Sequence, residues 1–298
     1  MDFKQIEAFV NVAKYKSFSK AAEATFLSQP TISSHILSLE KELKVVLFDR
    51  NGKDIRLTEA GKIFYEYAVN LINIRNSAIS NLSDYDNKIC GRITIAASTT
   101  PCRFLLPYMI KTFNDIYNEV NYDIKEGSTQ YVVDQLLAFE ADLGIVGEII
   151  EDCKLNYTKL FEDELILVSN LDYLPETIKI NDLIKLPFIQ REDGSATRHV
   201  FERSLEAKNI NIEDLNVVLN VNSLEAVIQF VKNKLGVAIV SYYACKDLIE
   251  AGILKSHTID DFKVSRPIYL VCHNKKTLSP AAREFILHIK QMQFNFFD

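Results

Sequence analysis

"SQPTISSHI", residues 28–36, is the stretch that decides how this chain folds. Ser28 can cap a helix through its side-chain oxygen, and Pro30 fits the first turn, where a missing N–H costs nothing. Beyond it Ile32, Ile36, Leu39 and Leu43 recur at steps of four, three and four, which marks one buried face. Gln29, Pro30, Thr31, Ser33, Ser34, His35 and Ser38 are left on the other faces. A face that is merely solvated is usually lined with Lys and Glu. This one presents short hydrogen-bonding side chains, which suits close approach to a partner.

Upstream, Asp2 with Gln5 has the form of a capping box before a helical stripe of Phe3, Ile6, Phe9, Val10 and Ala13. A second short helix starts near Ser19, with Ala21, Ala22 and Phe26 as packing residues. Only a few residues, around "FLSQ", join it to the third helix. Two helices linked so tightly, the second with a polar outer face, make a helix-turn-helix. Downstream, Val46 to Phe48 and Ile55 to Leu57 read as short strands around an Asn-Gly turn, a strong hairpin signal. Arg50, Lys53 and Arg56 near its tip make it a basic wing. Thr58 then caps a long helix striped by Phe64, Tyr67, Ala68, Leu71, Ile74, Ala78 and Leu82. No element nearby in sequence covers that stripe, so a second copy of the helix is the simplest partner.

From Gly91 onward, strands alternate with helices in two successive sets, which predicts two open-sheet α/β lobes with a cleft between them. A chain of 298 residues has room for two or three domains. Charge divides along the same lines. Residues 1–62 hold ten Lys and Arg against eight Asp and Glu, leaving 24 against 32 of the totals of 34 and 40 for the rest. A slightly basic head on an acidic body suits a nucleic-acid-binding unit attached to one that binds something else. No apolar run is long enough to span a membrane, and the N-terminus lacks the apolar core of a signal peptide, so a cytoplasmic protein is expected. The five cysteines show no C-x-x-C and no Cys/His cluster, which argues against a disulfide framework and structural zinc.

"SFSKAAEATFLSQPTISSHILSLEKEL" followed by "LFDRNGKDIRLTEAG" resembles, in order and spacing, the signature of LysR-type transcriptional regulators. "ADLGIVG" and "LGVAIVS" resemble matching segments of that family's effector-binding half. The resemblance implies a winged helix-turn-helix domain over residues 1–59, a linker and dimerisation helix over 60–89, and a two-lobed domain like a periplasmic binding protein over 90–298. Lobe one would take about 90–162 and 267–298, and lobe two about 163–266. It implies double-stranded promoter DNA, RNA polymerase and a small-molecule effector as partners, with homodimers assembling to homotetramers.

On this reading the third helix enters the major groove with its N-terminal residues toward base edges. Gln29 can pair with adenine, the Thr31 methyl can pack on a thymine methyl, and Ser33 can meet a base or a phosphate. Ser28, Pro30, Ser34 and His35 complete the surface. Many relatives carry Arg where this chain has Ser34, which removes one guanine contact. Lys20, Arg50, Lys53 and Arg56 are phosphate candidates.

In the body, Ser98, Thr99 and Thr100 end a strand just before a helix, and Gly194, Ser195, Ala196 and Thr197 open another, followed by Arg198. Helix N-termini offer free N–H groups and a positive dipole end, and hydroxyls with an Arg complete an oxyanion site. Plain capping is the alternative for each segment, and Arg198 can instead pair with Glu202 at i+4. The resemblance adds Gly127, Ser128, Thr129, Val146, Gly147, Asn222 and Ser223 to the cleft lining. A small anionic effector is expected there, with no cofactor or metal. Cys102, beside the hydroxyl run, is a candidate thiol sensor without an evident resolving partner. An enzyme using the same cleft lacks any G-x-S-x-G, Walker, Rossmann or metal-ligand pattern, and a transporter's solute-binding protein is opposed by the N-terminal head.

Overall fold

The computed structural model describes residues 1–49, 55–83, 89–260 and 262–292. The chain divides into one unit of residues 1–90 with 276–280 and a second of 91–275 with the remaining C-terminal residues.

The first unit is built on α1 (Phe3–Tyr15), α2 (Phe18–Thr25), α3 (Gln29–Leu43), β1 (Phe48–Asp49), β2 (Arg56–Leu57) and α4 (Glu59–Ser83). Its helix starts are set by side chains. Asp2 and Gln5 exchange both capping-box hydrogen bonds, Ser17 caps α2, and the Ser28 hydroxyl accepts from Thr31 N. The second helix therefore begins one residue earlier than Ser19. Ile6, Phe9, Val12, Ala21, Ala22, Ile32, Ile36, Leu39, Leu47, Phe48 and Ala68 close one core. Phe9 is its centre, with ring centroids 5.3 Å from Phe48 and 5.0 Å from Phe64. Phe26 does not pack. It ends α2 in the left-handed region and is 96% exposed, because that backbone turn swings its side chain away from the core. Phe3 is likewise outside, lying under the Arg75 guanidinium.

The wing is fastened from both sides. Glu40 Oε1 accepts from Leu47 N at 2.8 Å, and the Thr58 hydroxyl donates to Val46 O at 2.7 Å while accepting from Gly61 N at 3.0 Å. Gly61 is required here, since a Cβ would stand 2.2 Å from Leu47 O. The Asn-Gly turn lies outside the described residues.

The α4 stripe is not one surface awaiting a second copy. Phe64, Ala68 and Leu71 pack into the head core, and Arg75 pairs with Glu7 of α1. The first half of the linker helix thus belongs to the head, and the boundary expected at residue 60 does not separate two bodies. Tyr67 and Ile74 face outward, joined by Ile63 on the same side of the helix. That split follows from the 100° step: residues 63, 67 and 74 fall together, about a quarter turn from 64 and 71.

In the second unit, lobe one is β3 (Cys90–Ser98), a π-helical turn at Pro101–Leu105, α5 (Leu106–Asn114), β4 (Glu119–Gly127), α6 (Thr129–Leu137) and β5 (Leu143–Val146). β6 (Leu155–Ser169) then crosses into lobe two. That lobe contains β7 (Thr177–Ile178), α7 (Ile180–Leu183), β8 (Phe188–Arg191), α8 (Ala196–Glu206), β9 (Val217–Val221) and α9 (Leu224–Lys232). It continues with β10 (Ala238–Ser241), α10 (Tyr242–Glu250) and β11 (Lys255–Ile259). β12 (Val264–His273) crosses back, and α11 (Pro280–Gln291) covers lobe one. The strand order β4-β3-β5-β12-β6-β11-β7, with β10 on β6, makes one sheet run through both lobes, while β8 and β9 pair separately. β6 and β12 are antiparallel and in register from Leu155↔His273 to Leu165↔Val264, with an irregularity at Ile268/Tyr269. These two strands are the crossing point between the lobes.

Candidate functional site

The exposed end of α3 presents Ser28, Gln29, Pro30 and Ser34, with Thr31, Ser33 and His35 half-buried beside them. Ser28 is occupied as the cap, and its hydroxyl also meets Thr31 Oγ1 at 2.8 Å. Gln29 Nε2 donates to Ser33 Oγ at 3.3 Å, so both groups share the outward face. Lys20 and Arg56 are exposed, on α2 and β2. Arg50 and Lys53 lie outside the described residues. Ile32, Ile36 and Leu39 are fully buried, so this face carries the polar groups and none of the core.

The hydroxyls of the body divide into two classes. Ser128 and Ser223 cap α6 and α9, accepting from Tyr131 N and Ala226 N. Ser195 occupies the equivalent position before α8 but makes no side-chain cap hydrogen bond, while Thr99 and Thr100, expected at the end of the strand, are already helical, Thr100 with φ -65 and ψ -52. Ser98, Thr100, Thr129, Ser195 and Thr197 are all buried, and of these only Thr197 hydrogen-bonds through its side chain to another described residue. Val146, Gly147 and Ala196 are buried too, Thr99, Cys102, Gly127 and Ser223 are half-buried, and Ser128, Gly194 and Asn222 are exposed.

Arg198 is not free to clamp a ligand. Its Nε donates to Glu202 at 2.6 Å and Nη1 to Arg191 O at 3.3 Å, which is the i+4 pairing weighed against the anion role. The guanidinium at the centre of the fold is Arg266. It reaches Asp163 and Thr197, and a Cβ on Gly147 would stand 3.2 Å from its Cδ. Arg266 thus touches lobe one at Gly147 and lobe two at Thr197 from the crossing strand. Burial pushes the Asp163 carboxyl above its ordinary value, opposed by Arg266 and the Ser241 hydroxyl.

Two further charge clusters bridge the lobes. On one side Arg103 pairs with Glu126 of β4 and with Glu225 of α9. On the other, Glu148, just after β5, accepts from Arg203 of α8 at 2.9 Å and lies 3.1 Å from His199 Nδ1. Sequence reading missed Arg266, Asp163, Arg103, Glu126, Glu225, Glu148 and Arg203. For Arg266 the available signal was an Arg inside the otherwise largely apolar strand run "SRPIYLV", whereas Asp163, between Glu162 and Glu164 in "FEDELILVS", carried none. Burial pushes the Cys102 thiol up and Glu126 adds to that, with Arg103 opposing, which disfavours the nucleophilic thiolate a sensor needs.

Residues 3–62 match the family described as bacterial regulatory helix-turn-helix protein, lysR family, and residues 86–293 match the LysR substrate binding domain. An uncharacterized HTH-type transcriptional regulator of Methanocaldococcus jannaschii is 35% identical over 282 residues, covering 94% of this chain and 95% of the relative. A probable RuBisCO transcriptional regulator of Phaeodactylum tricornutum is 31% identical over 97% of this chain and 96% of its own length. Among solved structures, a single-site variant of full-length OxyR from Pseudomonas aeruginosa superposes with a TM-score of 0.74 at 19% identity, covering 97% of this chain and 93% of that one. The regulatory domain of CcmR from Synechocystis, in complex with 2-PG, gives 0.62 at 24% identity, covering 69% of this chain and 98% of that one. The two domain matches together span nearly the whole chain, as does the fold they define: a helix-turn-helix reader joined to a two-lobed effector domain. The chain belongs to the LysR family of transcriptional regulators.

Proposed function

We propose that this regulator is controlled by a small oxyanion held between its lobes, at the helix starts around Ser98–Thr100 and after Ser195. The observation that carries the reading is the contrast among three N-cap residues. Ser128 and Ser223 spend their hydroxyls on capping, whereas Ser195, itself buried, makes no such bond. The binding of 2-PG by the CcmR domain supports the same class of ligand. A melting series with phosphate, sulfate and small carboxylates tests it. At about a hundredfold excess over Kd, binding adds roughly 2.7 kcal/mol, and the melting temperature of the effector domain rises by several degrees. An unchanged midpoint with every anion sinks the proposal.

The DNA reader works through α3, with Gln29, Thr31 and Ser33 toward bases and Lys20 and Arg56 toward phosphates. Gln29→Ala is expected to weaken specific binding by about 1–3 kcal/mol while sparing non-specific binding. Lys20→Ala should weaken both and flatten the salt dependence. Titrations of operator and unrelated duplexes at two salt concentrations separate them, and an equal loss on both duplexes from Gln29→Ala removes its base-reading role.

The chain acts as a homodimer through the outward face of α4. Ile63, Tyr67 and Ile74 are each at least half exposed there, on a helix whose other face is committed to the head. Pairing of dimers into tetramers and contact with RNA polymerase complete the reading, in the cytoplasm where promoter DNA is reached. Among the described residues no helix is long and apolar enough to cross a membrane.

A further inference from the structure

At the crossing of β6 and β12, Asp163 and Arg266 stand directly opposite each other in register, 0% and 3% exposed. The side edge of the guanidinium faces the carboxylate: Nε donates to Asp163 Oδ2 at 2.9 Å, and Ser241 donates to Oδ1 at 2.7 Å. Nη2 is also 2.9 Å from Oδ2 but off the hydrogen-bonding direction, and it has no hydrogen-bond partner among the described residues. The end edge points the other way, with Nη1 donating to Thr197 Oγ1 at 2.8 Å. Thr197 lies in the first turn of α8, an 11-residue helix whose N-cap Ser195 makes no side-chain cap bond. A buried guanidinium with donors to spare and an uncommitted helix N-terminus therefore meet at one hydroxyl.

We propose that Arg266 is the residue that reads the charge of the effector, offering its Nη edge to an oxyanion seated at the α8 N-terminus, while Asp163 holds the fork by its other edge. The inference rests on the oxyanion reading above and adds the cation to it. The ligand class is a small carboxylate or phosphate, because the planar end edge matches two oxygens of either. Arg198, the cation adjacent to the site in sequence, is turned onto Glu202 of its own helix and the Arg191 carbonyl. Asp163 makes the pair neutral overall. It thereby keeps Arg266 from being an uncompensated buried cation, at the cost of weakening the pull on the anion.

The test is calorimetric titration of the full-length protein with inorganic phosphate and, separately, with acetate. D163N/R266Q removes both charges while leaving amides that can still hydrogen-bond. It is expected to fold and to lose at least about tenfold in affinity for whichever anion the wild type binds. D163N alone should bind that anion more tightly than wild type. Undiminished binding by the double variant overturns the role of Arg266 and leaves the oxyanion reading standing. Binding of neither anion by wild type overturns the oxyanion reading, and this inference with it. Should the double variant not fold, the Arg266 Nε–H resonance of the wild type, assigned by its loss in R266K, decides. It must move on titration with the bound anion, and a resonance that stays in place overturns the proposal.

Discussion

Asp163→Ala is expected to destabilise the effector domain by about 3–5 kcal/mol, the cost of breaking a buried pair from one side. The carboxylate has no exposed surface and is the partner of Arg266 Nε and of the Ser241 hydroxyl. Truncation leaves the guanidinium charged, 3% exposed, and held only by Thr197. A guanidinium cannot shed its proton to escape, so the penalty falls on the fold. For a unit of this size the loss lowers its melting temperature by roughly 10 °C. Chemical denaturation of the variant measures the difference directly. A loss under 1 kcal/mol would mean that water reaches Arg266 once Asp163 is gone, and that the crossing strands are not closed around it.

Phe9→Ala is expected to cost the head about 3–5 kcal/mol and with it DNA binding. Phe9 is fully buried where α1, the first wing strand and the linker helix meet, in ring contact with Phe48, Phe64 and Tyr65. No neighbouring side chain can fill the space, because those rings are fixed to the wing strand and the linker helix. The chain separates into two compact units, so calorimetry should show two transitions. The head transition of the variant should fall by more than 10 °C, at about 4–8 °C per kcal/mol for a unit near that size, while the other stays in place. Both transitions moving together would show that the units do not unfold independently.

The helix-turn-helix was legible because its signals are local. Capping by Ser28, the position of Pro30 and the spacing of Ile32, Ile36 and Leu39 are properties of adjacent turns, and the structure places them as the spacing requires. Phe26 was misread because an apolar residue at a helix end looks like core until the left-handed turn that follows is known. The linker stripe was misread for a related reason. Periodicity says that Phe64, Tyr67, Ala68, Leu71 and Ile74 are apolar on one broad side, but only packing shows which half the head takes. In the effector domain Ser195 stood at a legible helix start, whereas its lack of a capping bond was not legible. Residues 242–259 carried no pattern strong enough to expose α10 and β11.

By itself the sequence determined what short-range physics can specify: the tandem of helices, the wing, the alternation of strands and helices, the capping candidates and the family. Tertiary structure alone decided the chemistry of the cleft. Asp163 and Arg266 are 103 residues apart and meet only because β6 and β12 run antiparallel in one register. Arg198 sits beside the candidate site in sequence, yet its own helix turns it onto Glu202. Charge pairing inside a fold depends on distance and burial, and neither is written in the order of residues along the chain.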